Sequence, residues 1–352
     1  MRVVVAMSGG VDSSVVAGLM ARAGHEVIGV TLQLYDHGAA VGRKGACCAG
    51  ADIQDAGRVA ARLGIAHYVV DAQARFRAQV VSAFADSYAA GQTPVPCIAC
   101  NQHLKFGDLL DMARDLGAEA LATGHYVRRV AGADGAQLHQ AVDARRDQSW
   151  FLFATTRAQL EYCRFPLGDF ADKAQVRALA AQMGLVVADK PDSQDICFVP
   201  EGSYADIVRK FRPEALEPGE IIGADGAVLG QHEGIARYTV GQGKRLGNAA
   251  QRDGVAQMVT RIEPASRRIV IGPRQAASRE INLRDVNWLV GVPQAAMATR
   301  VKLRAHDALH GGVVTAQEGG AMLRLDEPAL AAPGQAAVFY DGSRVLGGGY
   351  IV

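Results

Sequence analysis

Short apolar runs alternate with amphipathic stretches over the first half of the chain. Branched apolar residues at 3–5 run into a Ser-Gly-Gly turn, and a helical pattern follows directly. The same alternation continues downstream, with predicted strands at 26–35, 66–72 and 119–126 and predicted helices at 51–64, 74–89 and 104–117. Asp52 is the predicted N-cap of the 51–64 helix. Strands that alternate with helices predict an α/β fold, a parallel sheet covered on both faces.

From about residue 215 the pattern changes to short strands separated by Gly-rich turns. Ala224-Asp225-Gly226 and Asp341-Gly342 are hairpin signals, because Gly supplies the positive φ of a tight turn. The second half therefore predicts two small β-rich modules with a break near 275 to 282. We expect three domains, at residues 1–205, 206–278 and 279–352.

Composition sets limits on the class of protein. The chain has 352 residues, 49% of them hydrophobic and 21% charged, as expected for a globular protein with a sizeable core. The sequence has neither a membrane-length apolar run nor a signal-peptide pattern, which predicts a cytoplasmic location and no membrane partner. The formal net charge is +1, so any nucleic-acid surface is expected to be local. Six cysteines are too few for a disulfide scaffold.

The segment SGGVDSS, residues 8–14, has the chemistry of a phosphate site. A Gly-rich turn between a strand and a helix presents backbone N–H groups and the positive end of the helix dipole to an anion. The segment fits neither the ATPase loop G-x-x-x-x-G-K-[ST] nor the dinucleotide pattern G-x-G-x-x-G, and it lacks a Lys for the γ-phosphate. It resembles the PP-loop of enzymes that cleave ATP to AMP and pyrophosphate. A bare capped turn is the less specific alternative.

Three cysteines lie beside turn residues. Cys97 and Cys100 follow a proline-stiffened approach and precede a predicted helix, while Cys197 lies in a polar loop. A helix N-terminus and the nearby Lys105 predict that a thiolate is favoured at the first pair. These thiols are candidates for a nucleophile or for metal ligands.

The cysteine segments belong to an ordered set that covers essentially the whole chain. The set resembles the tRNA 2-thiouridylase family of PP-loop enzymes, and its segments are AMSGGVDSSV, GQTPVPCIACNQHLKFG, LATGHYVR, RDQSWFL, KPDSQDICFVPEG, TVGQGKRLG and GQAAVFYDGSRVLGGGYI. This resemblance implies a PP-loop parallel-sheet domain followed by two β-rich modules, the last a β-barrel. It also implies ATP-dependent replacement of O2 of the wobble uridine by sulfur. The cofactors implied are ATP and Mg²⁺, and the partners are tRNA and an upstream persulfide or sulfide donor protein.

The resemblance also implies roles for individual residues. Cys100 would be the nucleophile and Cys197 the cysteine that carries sulfur as a persulfide. The residues implied at the ATP site are Ala6, Met7, Ser8, Gly9, Gly10, Val11, Asp12, Ser13, Leu32 and Gly124. Those implied at the tRNA site are Val95, Pro96, Cys97, His125, Arg146, Asp147, Gln148, Arg304, Ala305 and Gln335. Further cations expected near the tRNA are Arg128, Arg129, Arg145, Lys244, Arg245 and Lys302.

The sequence departs from the family pattern at the nucleophile loop. The pattern Asn-Pro-Asp-x-x-Cys-Asn is here Val95-Pro96-Cys97 followed by Cys100 and Asn101. Ala305 likewise stands where a Tyr is expected, so a stacking ring is missing there. Cys97 creates an alternative mechanism, because Cys97, Cys100 and Cys197 could together hold a [4Fe-4S] cluster.

Other functions compete with tRNA thiolation. A zinc site is less favoured, since only the distant Cys47-Cys48 pair would complete one, and this pair and Cys163 are expected to be structural. A PP-loop amidotransferase or ligase acting on a small metabolite would not need Cys100 or Cys197. A nucleotide-responsive RNA-binding module would bind ATP without cleaving it.

Overall fold

A computed structural model gives the fold of the chain. It describes residues 1–34, 48–192, 196–199, 203–252, 254–273 and 277–352, with only the main chain at 48 and 49. The predicted strand end at 35, Cys47, the side chain of Cys48 and part of the predicted break at 275 to 282 lie outside the described residues. The chain divides into two compact units. The first comprises Met1–Gln79, Cys97–Glu201 and Asp341–Leu346, and the second comprises Val80–Pro96, Gly202–Tyr340 and Gly347–Val352.

The secondary structure follows the alternation that the sequence predicts. Within the described residues the α-helical segments are α1 (Val11–Arg22), α2 (Cys48–Leu63), α3 (Gln73–Phe76), α4 (Ala83–Ala89), α5 (Pro96–Ala99), α6 (Leu109–Asp115), α7 (Arg157–Tyr162), α8 (Lys173–Gln182) and α9 (Tyr204–Phe211). The strands are β1 (Arg2–Ala6), β2 (Glu26–Gln33), β3 (Ala66–Asp71), β4 (Ala120–Ala122), β5 (Val127–Gly132), β6 (Gly135–Gln140), β7 (Cys163–Arg164), β8 (Gly219–Gly223), β9 (Val228–His232), β10 (Gln251–Arg252), β11 (Val255–Glu263), β12 (Arg268–Pro273), β13 (Ser278–Trp288), β14 (Met297–Lys302), β15 (His310–Gln317), β16 (Gly320–Ala329), β17 (Ala336–Asp341) and β18 (Arg344–Ile351). The remaining helical turns are π-helix at Arg77–Ser82 and Cys100–Asp108 and 3₁₀-helix at Ser149–Leu152, Pro213–Leu216, Ile235–Arg237 and Gly247–Ala250.

The first unit is built on a parallel sheet, as predicted. Its strand order is β3-β2-β1-β4-β7, and the paired strands run parallel throughout. The central strand β1 is almost entirely apolar, and Val3, Val4 and Val5 have no exposed surface. Helix α1 packs against α2 and α8. The phosphate loop between β1 and α1 is therefore fixed at both ends by buried elements.

Two of the predicted helices contain wide turns. The predicted helix at 74–89 is found as α3, a π-helical segment and α4, and the predicted helix at 104–117 begins inside the second π-helical segment and continues as α6. π-turns are rare and occur mostly as local features within α-helices, often at functional sites. The second one begins at Cys100, so the candidate nucleophile lies on irregular helix.

One predicted helix start is wrong. Helix α2 begins at Cys48, four residues before the predicted cap Asp52. The carboxylate of Asp52 instead accepts a hydrogen bond from Lys190 Nζ at 2.6 Å. An Asp near the start of a helical pattern suggested a cap, but a distant lysine binds it.

The second half consists of strands, as predicted. Strands β10-β11-β12-β8-β9 form a mixed sheet, in which β8 and β12 are parallel and the other pairs antiparallel. Strands β13-β16-β15-β14-β17-β18 form a six-stranded barrel, which the pairing of β13 with β18 closes. Both predicted hairpin turns are present, with φ of +82° at Gly226 and +54° at Gly342. The domain boundaries predicted from the sequence, near residues 205 and 278, remain a prediction.

Among the described residues, the helices are all too short or too polar to cross a lipid bilayer.

Candidate functional site

The phosphate loop needs glycine at its centre. Gly9 has φ of +75°, and a Cβ there would lie 2.1 Å from the backbone carbonyl oxygen of Asp52. A side chain is therefore excluded twice, by backbone strain and by the close approach of α2. The turn that follows ends at Gly10, the N-cap of α1.

Serines close the loop around the start of α1. The Ser8 backbone N–H donates to Ser13 Oγ at 3.1 Å, and the Ser13 and Ser14 hydroxyls donate to the Gly10 carbonyl at 3.2 and 2.8 Å. These bonds hold the loop while the first N–H groups of a helix have no intrahelical acceptor. The helix start can thus receive an anion.

The neighbouring strands contribute the other predicted nucleotide residues. Gly124 follows β4, and a Cβ there would lie 3.0 Å from the backbone nitrogen of Ser13. Leu32 lies near the carboxyl end of β2 and is partly buried. The structure therefore brings Gly124 against the segment Ala6 to Ser13, and Leu32 belongs to a strand paired with β1.

Lys173 supplies a cation that the loop motif lacks. It is the first residue of α8, its side chain is only 10% exposed, and its Nζ lies 2.7 and 2.6 Å from the two carboxylate oxygens of Asp12. The Tyr126 hydroxyl donates to Asp12 Oδ1 at 2.6 Å. Burial and the bond to Asp12 raise the pKa of Tyr126, so the phenol remains a neutral donor. Sequence reasoning missed both residues, although Lys173 follows a clear Asp N-cap.

Asp192 extends this group of charges. Its carboxylate lies 3.0 Å from Lys173 Nζ, 2.6 Å from an Arg146 nitrogen and 3.5 Å from an Arg177 nitrogen. Burial alone would raise the pKa of Asp192, but the bonds and charges of Lys173 and Arg146 outweigh it and lower the pKa. We call Asp12, Lys173, Asp192 and Arg146 the charge chain.

Lys190 binds the other side of the phosphate loop. Its Nζ donates to the Gly9 carbonyl at 3.0 Å and to carboxylate oxygens of Asp52 and Asp55 at 2.6 Å each. Desolvation lowers the pKa of Lys190, but the two carboxylates outweigh it and raise the pKa. Lys190 and Asp192 lie on either side of Pro191, a few residues before Cys197. This pair of opposite charges was the available sequence signal, and sequence reasoning did not use it.

The three candidate thiols form one electrostatic group. Cys97, Cys100 and Cys197 are free, with Cys100 buried and the other two exposed. Desolvation by the surrounding protein raises the pKa of Cys97 even though its side chain is exposed, and burial raises the pKa of Cys100 to about 11; the charge of Lys105 offsets only part of each shift. The charge of Cys197 contributes to the rise of both pKa values. The prediction of a favoured thiolate is therefore wrong for this conformation.

The arrangement of these thiols does not fit a cluster. Within the described part of the chain, which includes all three, no group of three or more His, Cys, Asp or Glu is placed to hold a metal ion. The segment that carries Cys197 is packed through Phe198, whose ring makes an edge contact with Phe76 at 5.8 Å. Cys163 is free and fully buried, as its predicted structural role requires.

Most predicted tRNA contacts of the first unit already have partners within the protein. His125 is 9% exposed, its Nδ1 lies 2.8 Å from Thr123 Oγ1, and burial with the nearby Lys105 holds its pKa well below the ordinary value. Gln148 accepts from the Tyr126 backbone N–H. Asp147 accepts from Gln140, Ala141 and Ser149. Of this set, Arg146 pairs with Asp192 and has a side chain that is 40% exposed.

The expected basic neighbours of the first unit are also held by the protein. The Arg128 guanidinium donates to the Gln140 carbonyl, and that of Arg129 donates to the Leu160 carbonyl and pairs with Glu161. Arg145 pairs with Asp143 but remains 80% exposed.

The second unit carries the remaining predicted tRNA residues. The backbone of Thr93 donates to the Pro333 carbonyl at 2.7 Å and accepts from Gln335 Nε2 at 2.9 Å, just ahead of Val95 and Pro96. Gln335 thus fastens the chain that leads to the cysteines. Arg304 is exposed and lines a cavity of about 620 Å³ together with Asp307 and His310. Ala305 is its partly buried neighbour.

The parallel sheet and the Gly9 turn before α1 define an α/β domain of the class that binds phosphate-bearing ligands. Residues 1–201 match the family described as "tRNA methyl transferase HUP domain". Residues 205–273 match "tRNA methyl transferase PRC-barrel domain", and residues 278–351 match "Aminomethyltransferase beta-barrel domain".

Full-length relatives identify the family more narrowly. The chain is 68% identical to the tRNA-specific 2-thiouridylase MnmA of Acidiphilium cryptum over 100% of both chains. It is 63% identical to that of Gluconobacter oxydans (100% of this chain, 99% of the relative) and 58% identical to that of Rhodospirillum centenum (100% and 91%). The chain belongs to the tRNA-specific 2-thiouridylase family.

Proposed function

We propose that the protein is an ATP-dependent tRNA 2-thiouridylase that replaces O2 of the wobble uridine by sulfur. The observation that carries the proposal is the presence, in one compact unit, of a phosphate loop whose turn requires Gly9 and of the free thiols Cys100 and Cys197. A PP-loop ligase or amidotransferase would have no use for the thiols. An RNA-binding module would need neither ATP cleavage nor a nucleophile.

The first half-reaction activates the base. The uracil O2 attacks the α-phosphorus of ATP, the bond to the β-phosphate breaks, and pyrophosphate leaves from the start of α1. The positive end of the helix and the cations Lys173 and Lys190 favour the charge that develops on pyrophosphate. Residues 6–13, Leu32 and Gly124 bind the nucleotide in this proposal.

The second half-reaction delivers sulfur. The terminal sulfur of a persulfide on Cys197 attacks C2 and displaces AMP, which leaves a disulfide-linked adduct. Cys100 then attacks the Cys197 sulfur of that adduct, so a Cys100–Cys197 disulfide forms and 2-thiouridine is released. A thiol reductant restores the dithiol, and a persulfide donor protein then transfers its outer sulfur to the Cys197 thiol and is left as a thiol itself. Division into activation and displacement is the usual gain from covalent catalysis.

Mg²⁺ fits the residues at the loop. This ion is usually held by nucleotide phosphates, water and one or two carboxylates, and Asp12 is one carboxylate at the start of α1. When bound, Mg²⁺ supplies charge neutralisation at the phosphates. The [4Fe-4S] alternative finds no support in the arrangement of Cys97, Cys100 and Cys197, and no step is assigned to it.

We assign tRNA binding to residues 95–97, His125, residues 146–148, Arg304, Ala305 and Gln335. Exposed arginines such as Arg145, Arg146 and Arg304 would neutralise phosphates and make binding salt-dependent. The cytoplasm is the proposed location, because ATP and tRNA are both available there.

The test is made with anaerobically prepared protein. Wild type and Cys97→Ser are incubated with ATP, Mg²⁺, substrate tRNA and a sulfur donor, and 2-thiouridine in the digested tRNA is quantified by mass spectrometry. The wild type should form 2-thiouridine and release pyrophosphate only when tRNA is present. Cys97→Ser should retain thiolation, because two cysteines suffice for the proposed sulfur transfer.

Cys163→Ala is the matched control, since Cys163 is a free thiol outside the group. Wild type that releases pyrophosphate without tRNA, or that forms no 2-thiouridine, would contradict the proposal. A folded Cys97→Ser variant that binds ATP and makes no 2-thiouridine would show that Cys97 takes part in the reaction and would favour a mechanism with three cysteines.

A further inference from the structure

The charge chain joins a nucleotide residue to a tRNA residue. Asp12 is part of the phosphate loop, and Arg146 is the exposed cation assigned to tRNA. Lys173 and Asp192 lie between them, with successive separations of 2.6, 3.0 and 2.6 Å. Each of the two middle groups therefore binds a partner on either side.

The middle of the chain is poorly solvated. The side chains of Lys173 and Asp192 are 10% and 18% exposed, and the Lys173 ammonium also lies 5.6 Å from the centre of the Tyr126 ring. Interactions between charges are stronger at such sites than in water, and salt screens them less. A charge added at one end is therefore attenuated less along the charge chain than it would be in bulk water.

Asp12 and Asp192 share the cation Lys173. Two carboxylates, Asp12 and Asp192, face three cations, Lys173, Arg146 and Arg177. Phosphates bound at the start of α1 would compete with both carboxylates for Lys173, and a Mg²⁺ ion held by Asp12 would compete with Lys173 for that carboxylate. Either change alters the charge that Asp192 presents to Arg146.

We propose that Lys173 and Asp192 are positioning residues that couple nucleotide binding at the phosphate loop to tRNA binding at Arg146. This inference rests on the proposed function, because that function supplies both ligands. Neither residue needs to contact the reacting atoms. Coupling between two binding sites is reciprocal and commonly changes affinity between about 5-fold and 150-fold.

The test measures the ratio of two dissociation constants for tRNA, one without nucleotide and one with a bound ATP analogue. Fluorescently labelled substrate tRNA is titrated with full-length protein, without nucleotide and with a saturating ATP analogue that has a methylene bridge between the α- and β-phosphates. The wild-type Kd for tRNA should change about fivefold or more between the two states. In Lys173→Gln and in Asp192→Asn the ratio should fall to within about twofold of 1, and Lys173→Arg should recover part of it.

The controls separate coupling from simple damage. Arg145→Gln removes an exposed neighbouring cation outside the charge chain, so it should weaken tRNA binding equally in both states and leave the ratio unchanged. Calorimetric titration of each variant with the analogue confirms saturation, and thermal melting confirms folding. If Lys173→Gln does not fold, Asp192→Asn decides, because it leaves Asp12 and Lys173 in place.

Two results would overturn the inference: a wild-type ratio near 1, or a wild-type ratio that persists in folded Asp192→Asn. The proposed function is judged separately, by 2-thiouridine formation in the same wild-type preparation. Tight tRNA binding without thiolation would reject the function, while absent coupling in an active enzyme would reject only this inference.

Discussion

The phosphate loop and the thiol group lie in the same unit but are held in opposite ways. The loop is one continuous segment, held by its turn at Gly9, by serine hydrogen bonds and by the flanking lysines Lys173 and Lys190. The thiols come from two distant segments, and burial keeps Cys100 protonated at neutral pH. The comparison indicates that the loop is held in a form that can receive an anion, whereas the Cys100 thiol must lose its proton against the effect of burial before it can act as the proposed nucleophile.

The largest expected effect is on 2-thiouridine formation, from a substitution that removes a thiol and leaves the phosphate loop unchanged. Cys100→Ser should lower 2-thiouridine formation by at least about 10³-fold, because a hydroxyl cannot replace the thiol in the release step. Its affinity for a non-hydrolysable ATP analogue should stay within about twofold of wild type. Retention of a tenth of the wild-type rate, measured beside Cys163→Ala, would remove Cys100 from the proposed mechanism.

The second prediction concerns how the rate of Cys100 alkylation depends on pH. With a pKa of about 11, only a small fraction of Cys100 is thiolate well below that pH, and this fraction grows tenfold per pH unit. Alkylation of Cys100 by iodoacetamide, followed by peptide mass spectrometry, should therefore rise about 10²-fold between pH 7 and pH 9. The reaction must be shown to proceed in folded protein at both pH values.

A plateau of Cys100 alkylation below pH 9 would show that the thiolate is favoured after all. Saturating tRNA and ATP analogue should shift the rise to lower pH, because the proposed chemistry needs the thiolate at neutral pH. This second measurement sharpens the comparison, since it asks whether ligand binding prepares the sulfur half of the site.

The third prediction distorts the phosphate loop and leaves the thiols alone. Gly9→Ala forces a side chain onto a backbone at φ +75° and against the Asp52 carbonyl. Strain of about 1–3 kcal/mol is expected, and it should weaken nucleotide binding by about tenfold or more. Gly24→Ala is the matched control, because Gly24 has a similar φ of +78° but open space around it.

If both variants bind the nucleotide equally, the close approach of α2 to the loop is not required. Cys197 alkylation should remain at the wild-type rate in both variants, because the thiol group does not depend on the Gly9 turn.

The sequence predicted what depends on neighbouring residues. Strand β1, the Gly-rich turn and helix α1 follow from one apolar run and the turn residues that end it. The parallel sheet follows from the alternation of such strand and helix units. The hairpins at Gly226 and Gly342 were equally local. These features are set within a few residues of chain, so a sequence pattern suffices.

The charge pairs could not be predicted in this way. Lys173 meets Asp12 and Lys190 meets Asp52 across 161 and 138 residues of sequence, and only the packing of α2 and α8 beside α1 brings them together. The mistaken cap at Asp52 and the mistaken thiolate at Cys100 have the same origin. Both rested on nearby residues, whereas a distant lysine and burial decided the outcome.

The smallest expected effect compares two cations that share one carboxylate. Lys190 and Arg58 both bind Asp55, but the Lys190 side chain is 26% exposed and also holds Asp52 and the Gly9 carbonyl, whereas Arg58 is 62% exposed. Lys190→Gln should lower the free energy of unfolding by about 1 kcal/mol, and Arg58→Gln by less than about 0.5 kcal/mol. Urea denaturation at pH 7 measures both.

The Lys190 pairing also fixes a pH dependence. Its pKa in the folded protein is raised above 10.5, so the stabilisation is fully present below that pH and is lost as the pH rises through the folded value. The difference between wild type and Lys190→Gln should therefore shrink above pH 10.5. A constant difference would mean that Lys190 acts through packing of its aliphatic chain, and the phosphate loop would then be held by shape rather than by charge.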